Sequence, residues 1–254
     1  VGTIEVFFLI LGLAIVCEAI DASIGMGYGT ILSPLLIILG FSPLVVAPSI
    51  LLSQALGGGI AAFKHHHYGN VSFLPKSINL KSGLLIGGLG LVAVTGSAFL
   101  AVSVPKYILK TYIGVVVLAM GGLLLANLRF SFSWLKMLTL SIVGAFNKGW
   151  FGGGFGPITT SGQIIVGQDH KNAIGVTTFA EVPICLAGFL TFLLINGTGL
   201  FSFPLIYAMC LGAMIGAPLG ARVTKWIKLA HMRYFVGATV LVLGAWTLLK
   251  TWVF

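Results

Sequence analysis

Apolar residues run through this chain in long blocks, and most charged residues fall between the blocks. Crossing a bilayer as a helix takes about 20 apolar residues. Blocks of that length cover 43–63, 82–102, 107–126, 173–195, 203–221 and 232–249, and each predicts a transmembrane helix. Two further blocks, 7–24 and 135–146, stop at glycine clusters and are followed by short apolar runs, 31–39 and 158–166. The clusters read Gly25-Met26-Gly27-Tyr28-Gly29 and Gly149-Trp150-Phe151-Gly152-Gly153-Gly154-Phe155-Gly156. Each short run makes about 14 Å of helix at 1.5 Å per residue, half of a bilayer core. The block near the start reads as membrane-embedded, not as a removed leader.

The broken segments are copies of each other. A shift of 127 residues carries Gly25 onto Gly152, Gly27 onto Gly154, Gly29 onto Gly156 and Gly40 onto Gly167. It also carries Tyr28 onto Phe155, Asp21 onto Lys148 and Gln54 onto Glu181. Farther along, a shift of 123 aligns Gly114 with Gly237 and Gly121 with Gly244. The chain therefore reads as a tandem duplication, with repeats at 1–127 and 128–254.

Loop charge addresses their orientation. If each broken segment crosses the membrane once, the cations divide almost evenly. If each is a re-entrant hairpin, one side holds Lys64, Lys76, Lys81, Arg129, Lys136, Lys171, Arg222, Lys225, Lys228 and Arg233, and the other only Lys106, Lys110 and Lys250. That bias predicts an all-α polytopic membrane protein of two inverted repeats. Each repeat is a glycine-broken re-entrant hairpin plus three transmembrane helices, with both termini outside the cytoplasm.

Composition agrees. Apolar residues make up 58% and charged residues 7% of the 254, too few polar groups to cover a soluble domain of this size. The net charge of +9 sits between spans, as topology signals and headgroup contacts, which excludes nucleic acid as a partner. Cys17, Cys185 and Cys210 lie in apolar runs without disulfide or zinc spacing. Lys64-His65-His66-His67 follows a predicted span end and reads as a solvated basic patch, with metal binding as the rarer alternative.

Glycine-rich backbone survives in a bilayer only where it is buried in protein or lines a cavity. There, helix N-termini offer N–H groups and a positive dipole end to anions. The candidate anion site is therefore Gly25, Gly27 and Gly29 with Gly152, Gly153, Gly154 and Gly156, the two tips meeting on a pseudo-two-fold axis; close helix packing is the alternative use of these glycines. Ionisable residues inside the membrane, here Glu18, Asp21, Lys148 and Glu181, are functional candidates by default. Asp21 and Lys148 are placed to pair with each other, or Lys148 attracts the anion directly, with Asn147 beside it. Thr159 and Thr160 begin a short helix and either cap it or bind ligand. Thr177, Thr178 and Glu181 follow on the next helix, where Glu181 can carry a proton or serve as a neutral structural acid. Gln54, its counterpart, bonds without titrating. Asp21, Gln54 and Glu181 are thus candidates for coupling or gating. No histidine is expected within a span, which argues against haem and most metal chemistry.

Gly25-Met26-Gly27-Tyr28-Gly29-Thr30-Ile31-Leu32-Ser33-Pro34-Leu35 resembles the first signature of the TauE/SafE family of sulfite-exporter-like membrane proteins. Gly152-Gly153-Gly154-Phe155-Gly156-Pro157, continuing to Thr177-Thr178-Phe179-Ala180-Glu181, resembles the second, as does Gly216-Ala217-Pro218-Leu219-Gly220-Ala221. The resemblance implies a secondary transporter in the cell (inner) membrane. It would export sulfite or an organosulfonate such as sulfoacetate, with no cofactor and no enzymatic step. An anion channel using the same site is the alternative. The partners expected are the small sulfur anion and membrane lipid, with a homo-oligomer left open.

Overall fold

A computed structural model describes residues 3–126, 133–165, 167–199, 201–227 and 229–253. Arg129 and Lys228, which entered the charge comparison, lie outside the described residues, as does the junction between the repeats. Ten helices follow in order: α1 (Thr3–Ile24), α2 (Tyr28–Ile38), α3 (Pro43–His67), α4 (Ile78–Ser103), α5 (Lys106–Leu125), α6 (Trp134–Phe151), α7 (Phe155–Ile165), α8 (His170–Asn196), α9 (Phe203–Val223) and α10 (Leu229–Trp252). No strand occurs among the described residues.

Among the described residues seven helices are long and apolar enough to cross a membrane, one more than the six full spans expected. The addition is α1, unbroken over 22 residues and about 33 Å long. The long arm of the first broken segment can thus cross a bilayer by itself. Helix α3 also exceeds its expected span and runs through the histidine triplet to His67. Histidines therefore do lie within a candidate span, because the helix continues past the point where its apolar run ends.

Local chemistry explains the helix ends. Ser77 accepts from Leu80 N–H at the start of α4, and Asp169 accepts from Lys171 and Asn172 N–H at the start of α8. The breaks are built alike. Gly25 (φ 75°) and Gly152 (φ 82°) are left-handed, as are Gly27 (φ 137°) and Gly154 (φ 88°), a region that side chains with a Cβ resist. The same bond closes each long arm: Gly25 N–H to Asp21 O, and Gly152 N–H to Lys148 O. The short arms also end alike, on Gly40 and Gly167. Gly40 N–H bonds Ile37 O and Phe41 N–H bonds Leu36 O, while Gly167 N–H bonds Ile164 O and Gln168 N–H bonds Gln163 O.

Helix packing repeats in the same sense. Gly212, Gly216 and Gly220 of α9 meet α1 progressively, at Leu11, Ile15 and Ala19, so these helices run parallel. Helix α3 joins them, with Gly57 beside Glu18 and His65 beside Ala22. The second trio is α6, α4 and α8. Gly83, Gly87 and Gly90 of α4 meet Phe179, Pro183 and Ile184 of α8, and Gly90 also meets Ala145 of α6. The trios cross through α3 and α8, where Gly58 lies against Thr178, Gln54 against Glu181 and Leu51 against Gly188, an antiparallel order. Helices α5 and α10 also pack antiparallel, Gly114 near Leu248 and Gly121 near Leu241.

Burial is inverted relative to a soluble domain. Ile4, Phe8, Val92, Leu194 and Val242 face outward, while Glu18, Asp21, Gln54, Lys148 and Glu181 are all 5% exposed or less. Lipid explains both: apolar side chains lose nothing in hydrocarbon, and ionisable groups need protein partners there.

Candidate functional site

The two breaks touch. A methyl on Gly29 would overlap the Gly152 carbonyl, and one on Gly153 would lie 2.6 Å from the Gly29 oxygen. A methyl on Gly156 would lie 2.5 Å from the Gly25 oxygen. Glycine here lets one backbone lie directly on another. The two breaks close directly on each other.

Side chains staple the contact. Gly154 N–H donates to Thr30 Oγ1 at 3.2 Å. The Thr160 hydroxyl donates to the Gly25 carbonyl at 2.7 Å and shares a 2.9 Å bond with Thr177 Oγ1. Gln163 Nε2 donates to Thr177 Oγ1 at 2.7 Å. Thr160 is thus a cross-link between the breaks; neither it nor Thr159 caps the short helix, because α7 starts earlier, at Phe155, and places both in its second turn. The Thr178 hydroxyl donates to Ile174 O within its own helix. Thr159 Oγ1, Ser161 Oγ and Ser33 Oγ are buried without a hydrogen-bond partner.

Beside the breaks lies a charged network with two-fold order. Gln54 Nε2 donates to Glu181 Oε2 at 3.2 Å, so the two equivalent residues meet. Gln54 Nε2 also donates to Asp21 Oδ2 at 3.1 Å, and Lys148 Nζ pairs with Glu181 Oε1 at 2.6 Å. These two contacts are equivalents under the 127-residue shift. Lys148 Nζ also donates to Gln54 Oε1. Gln54 therefore spends both amide hydrogens and its oxygen inside the network. Asp21 Oδ1 accepts from Tyr28 N–H at 3.1 Å, so its carboxylate lies at the N-terminus of α2.

Of the two alternatives for Lys148, pairing with Asp21 does not occur among the described residues. Lys148 reaches Glu181 instead, and Gln54 links Asp21 to both. The antiparallel crossing of α3 and α8 puts Gln54 and Glu181 between the two long arms. Thr177 and Glu181 share a face of α8 as expected, yet Thr177 turns its hydroxyl to α7. Asn147 accepts from Tyr112 OH at 2.5 Å.

The histidine triplet also divides. His65 is fully buried, its Nε2 2.8 Å from Ala22 O and its Nδ1 3.0 Å from Asn70 Nδ2. Asn70 Nδ2 also donates to Ala221 O at 2.9 Å, and the Thr224 hydroxyl lies 3.3 Å from Ala22 O. These bonds tie together the ends of α1, α3 and α9. The solvated-patch reading holds for His66 and His67, which are exposed, and fails for His65 because the extended helix turns it inward.

Sequence reasoning missed Tyr112, Thr30, Gln163 and the Tyr28 hydroxyl, which bonds Ser53 Oγ at 2.7 Å. Tyr28 and Thr30 lie in or beside the first glycine cluster and Gln163 follows the second, which was the nearest signal for them, whereas Tyr112 sits in an unbroken apolar block far from both clusters.

Buried charge joining two similarly built helix breaks inside an apolar, many-helix chain defines a membrane protein of transporter build. The family model described as Sulfite exporter TauE/SafE matches residues 9–247. The chain belongs to that family of membrane transporters. A probable membrane transporter protein, YtnM of Bacillus subtilis (strain 168), is 26% identical over 262 residues, covering 98% of this chain and 84% of that protein. No solved structure matches the chain.

Proposed function

We propose that this protein is a secondary transporter that exports a small sulfur-containing anion, sulfite or an organosulfonate such as sulfoacetate, across the cell membrane by alternating access. The observation that carries the reading is the network of Lys148, Glu181, Gln54 and Asp21 between the two breaks. Lys148 has three donors, of which Glu181 and Gln54 take two. An incoming oxyanion has the same acceptor chemistry as the Glu181 carboxylate. The anion and Glu181 therefore compete for Lys148, and uptake of a proton by Glu181 would release the lysine. Asp21 already occupies the N-terminus of α2, which leaves the Lys148 side of the network as the anion's side.

The antiparallel relation of α3 to α8 and of α5 to α10 supports inverted repeats at 1–127 and 128–254. The shared positive-φ glycines support two equivalent hairpins. Tyr28 of α2 meets Ser53 while the end of α2 leads directly into α3, so the short arm runs back along the long one. On this reading both termini face outside. Close contact of the breaks supports alternation over a continuous pore.

The test is flux of radiolabelled sulfite, sulfate and sulfoacetate in proteoliposomes. Lys148→Ala is expected to abolish flux, and undiminished flux would overturn the role of Lys148. Reporter fusions at each terminus check orientation: a cytoplasmic signal from either would overturn the inverted topology.

A further inference from the structure

Glu18 is fully buried one helical turn before Asp21, and the network above does not use it. It forms no ion pair among the described residues, and its Oε2 has no hydrogen-bond partner. The titratable groups around it are Cys17 and Asp21 on α1, Tyr28 on α2, Lys148 on α6, and Glu181 and Cys185 on α8. Cys210 of α9 lies beside Tyr28. Helices α3 and α9 face Glu18 directly with Gly57, Ala213 and Gly216. Three carboxyl groups therefore share one ammonium. Lys148 is committed to Glu181, and Asp21 holds two N–H donors. Glu18 has no ion pair among the described residues and its Oε2 accepts from nothing, and a carboxylate in such a place is strongly disfavoured.

The other repeat shows that packing does not require an acid here. Under the 127-residue shift Glu18 corresponds to Ala145, and Gly57 to Ile184. In the second repeat the Ile184 side chain and Ala145 fill the niche against Gly90. In the first repeat Gly57 leaves the room that Glu18 takes, since a methyl at Gly57 would sit 2.7 Å from Glu18 Oε1 and 2.9 Å from Ala213 Cβ. The same niche is closed by hydrocarbon in one half and by a carboxyl in the other.

We propose that Glu18 is a proton-binding site of this protein, protonated in the closed arrangement of α1, α3 and α9 and carrying that proton through the transport cycle. An O–H bond forms on the carboxyl with a proton from water on one side of the membrane, and breaks to water on the other. The carrying role rests on the transporter reading, whereas the protonated state does not.

Two measurements test it. The first uses no substrate: the purified protein is treated with dicyclohexylcarbodiimide, which adds to protonated carboxyls in apolar surroundings, and the adduct is located by mass spectrometry. An adduct on Glu18 is expected, and its absence overturns the proposal. The second measures the ratio of sulfite flux with and without an imposed proton gradient. Glu18→Gln is expected to abolish the gradient response. The triple variant Glu18→Ala, Gly57→Ile and Ala213→Gly installs the packing of the second repeat, since Ala213 stands where that repeat has Gly90, and the same loss is expected from it should the single variant fold poorly. A gradient response equal to wild type in both variants overturns the carrying role. Absence of any anion flux overturns the transporter reading instead, and the carbodiimide result still decides the protonated state.

Discussion

Replacing Lys148 by Met keeps most of the side-chain volume and removes the charge. Glu181 then retains one donor, Gln54 Nε2 at 3.2 Å, and is 2% exposed, so water cannot take the place of the ammonium. Removing one partner of a buried ion pair costs about 3–5 kcal/mol. Glu181→Gln is milder, because the new amide oxygen still accepts from Lys148 and Asp21 remains nearby; about 2 kcal/mol is expected from the lost charge-assisted bond. Replacing both partners removes the stranded charge, and such neutral substitutions are often close to isoenergetic. The Lys148→Met/Glu181→Gln protein should therefore be more stable than Lys148→Met alone, the two single costs failing to add across the cycle. Reversible denaturant unfolding in micelles of wild type, both single variants and the double measures each corner. A Lys148→Met cost below about 1 kcal/mol, the range of an exposed pair, would refute the buried pair. So would a double variant less stable than Lys148→Met. Flux gives the complementary readout: the double variant should regain stability without regaining transport.

Neighbouring glycines on α3 should respond in opposite ways. Gly57→Ala presses on Glu18 and Ala213 and should lower the melting temperature, whereas Gly59 has nothing within 4 Å and Gly59→Ala should be neutral or stabilising by up to about 1 kcal/mol. Tyr28→Phe, the residue type at position 155, removes the bond to Ser53 and should cost about 1 kcal/mol in the same unfolding assay. His65→Ala empties a buried site and strips hydrogen bonds from Ala22 O and Asn70, so a loss of about 2–4 kcal/mol is expected. Wild-type stability in that variant would show that the ends of α1, α3 and α9 are held by other contacts.

The sequence by itself determined the solvent and the plan of the chain. Apolar block length and the confinement of charge to the joints follow from the lack of water in a bilayer core, so six of the seven candidate spans among the described residues could be read directly, and only the length of α1 was missed. The duplicated breaks were legible too, because left-handed backbone needs glycine and leaves the same residue type at Gly25, Gly27 and Gly40 as at Gly152, Gly154 and Gly167. The four buried ionisable residues stood out by rarity. Tertiary structure alone decided who meets whom. The offset made Asp21 and Lys148 equivalents, but equivalence under a two-fold does not place two side chains within reach. Contact depends on where α3 and α8 cross, and that crossing gave Lys148 to Glu181 and left Glu18 without an ion pair among the described residues. The burial of His65 was likewise set by one extra helical turn and by the end of α1 beside it, neither of which hydropathy encodes.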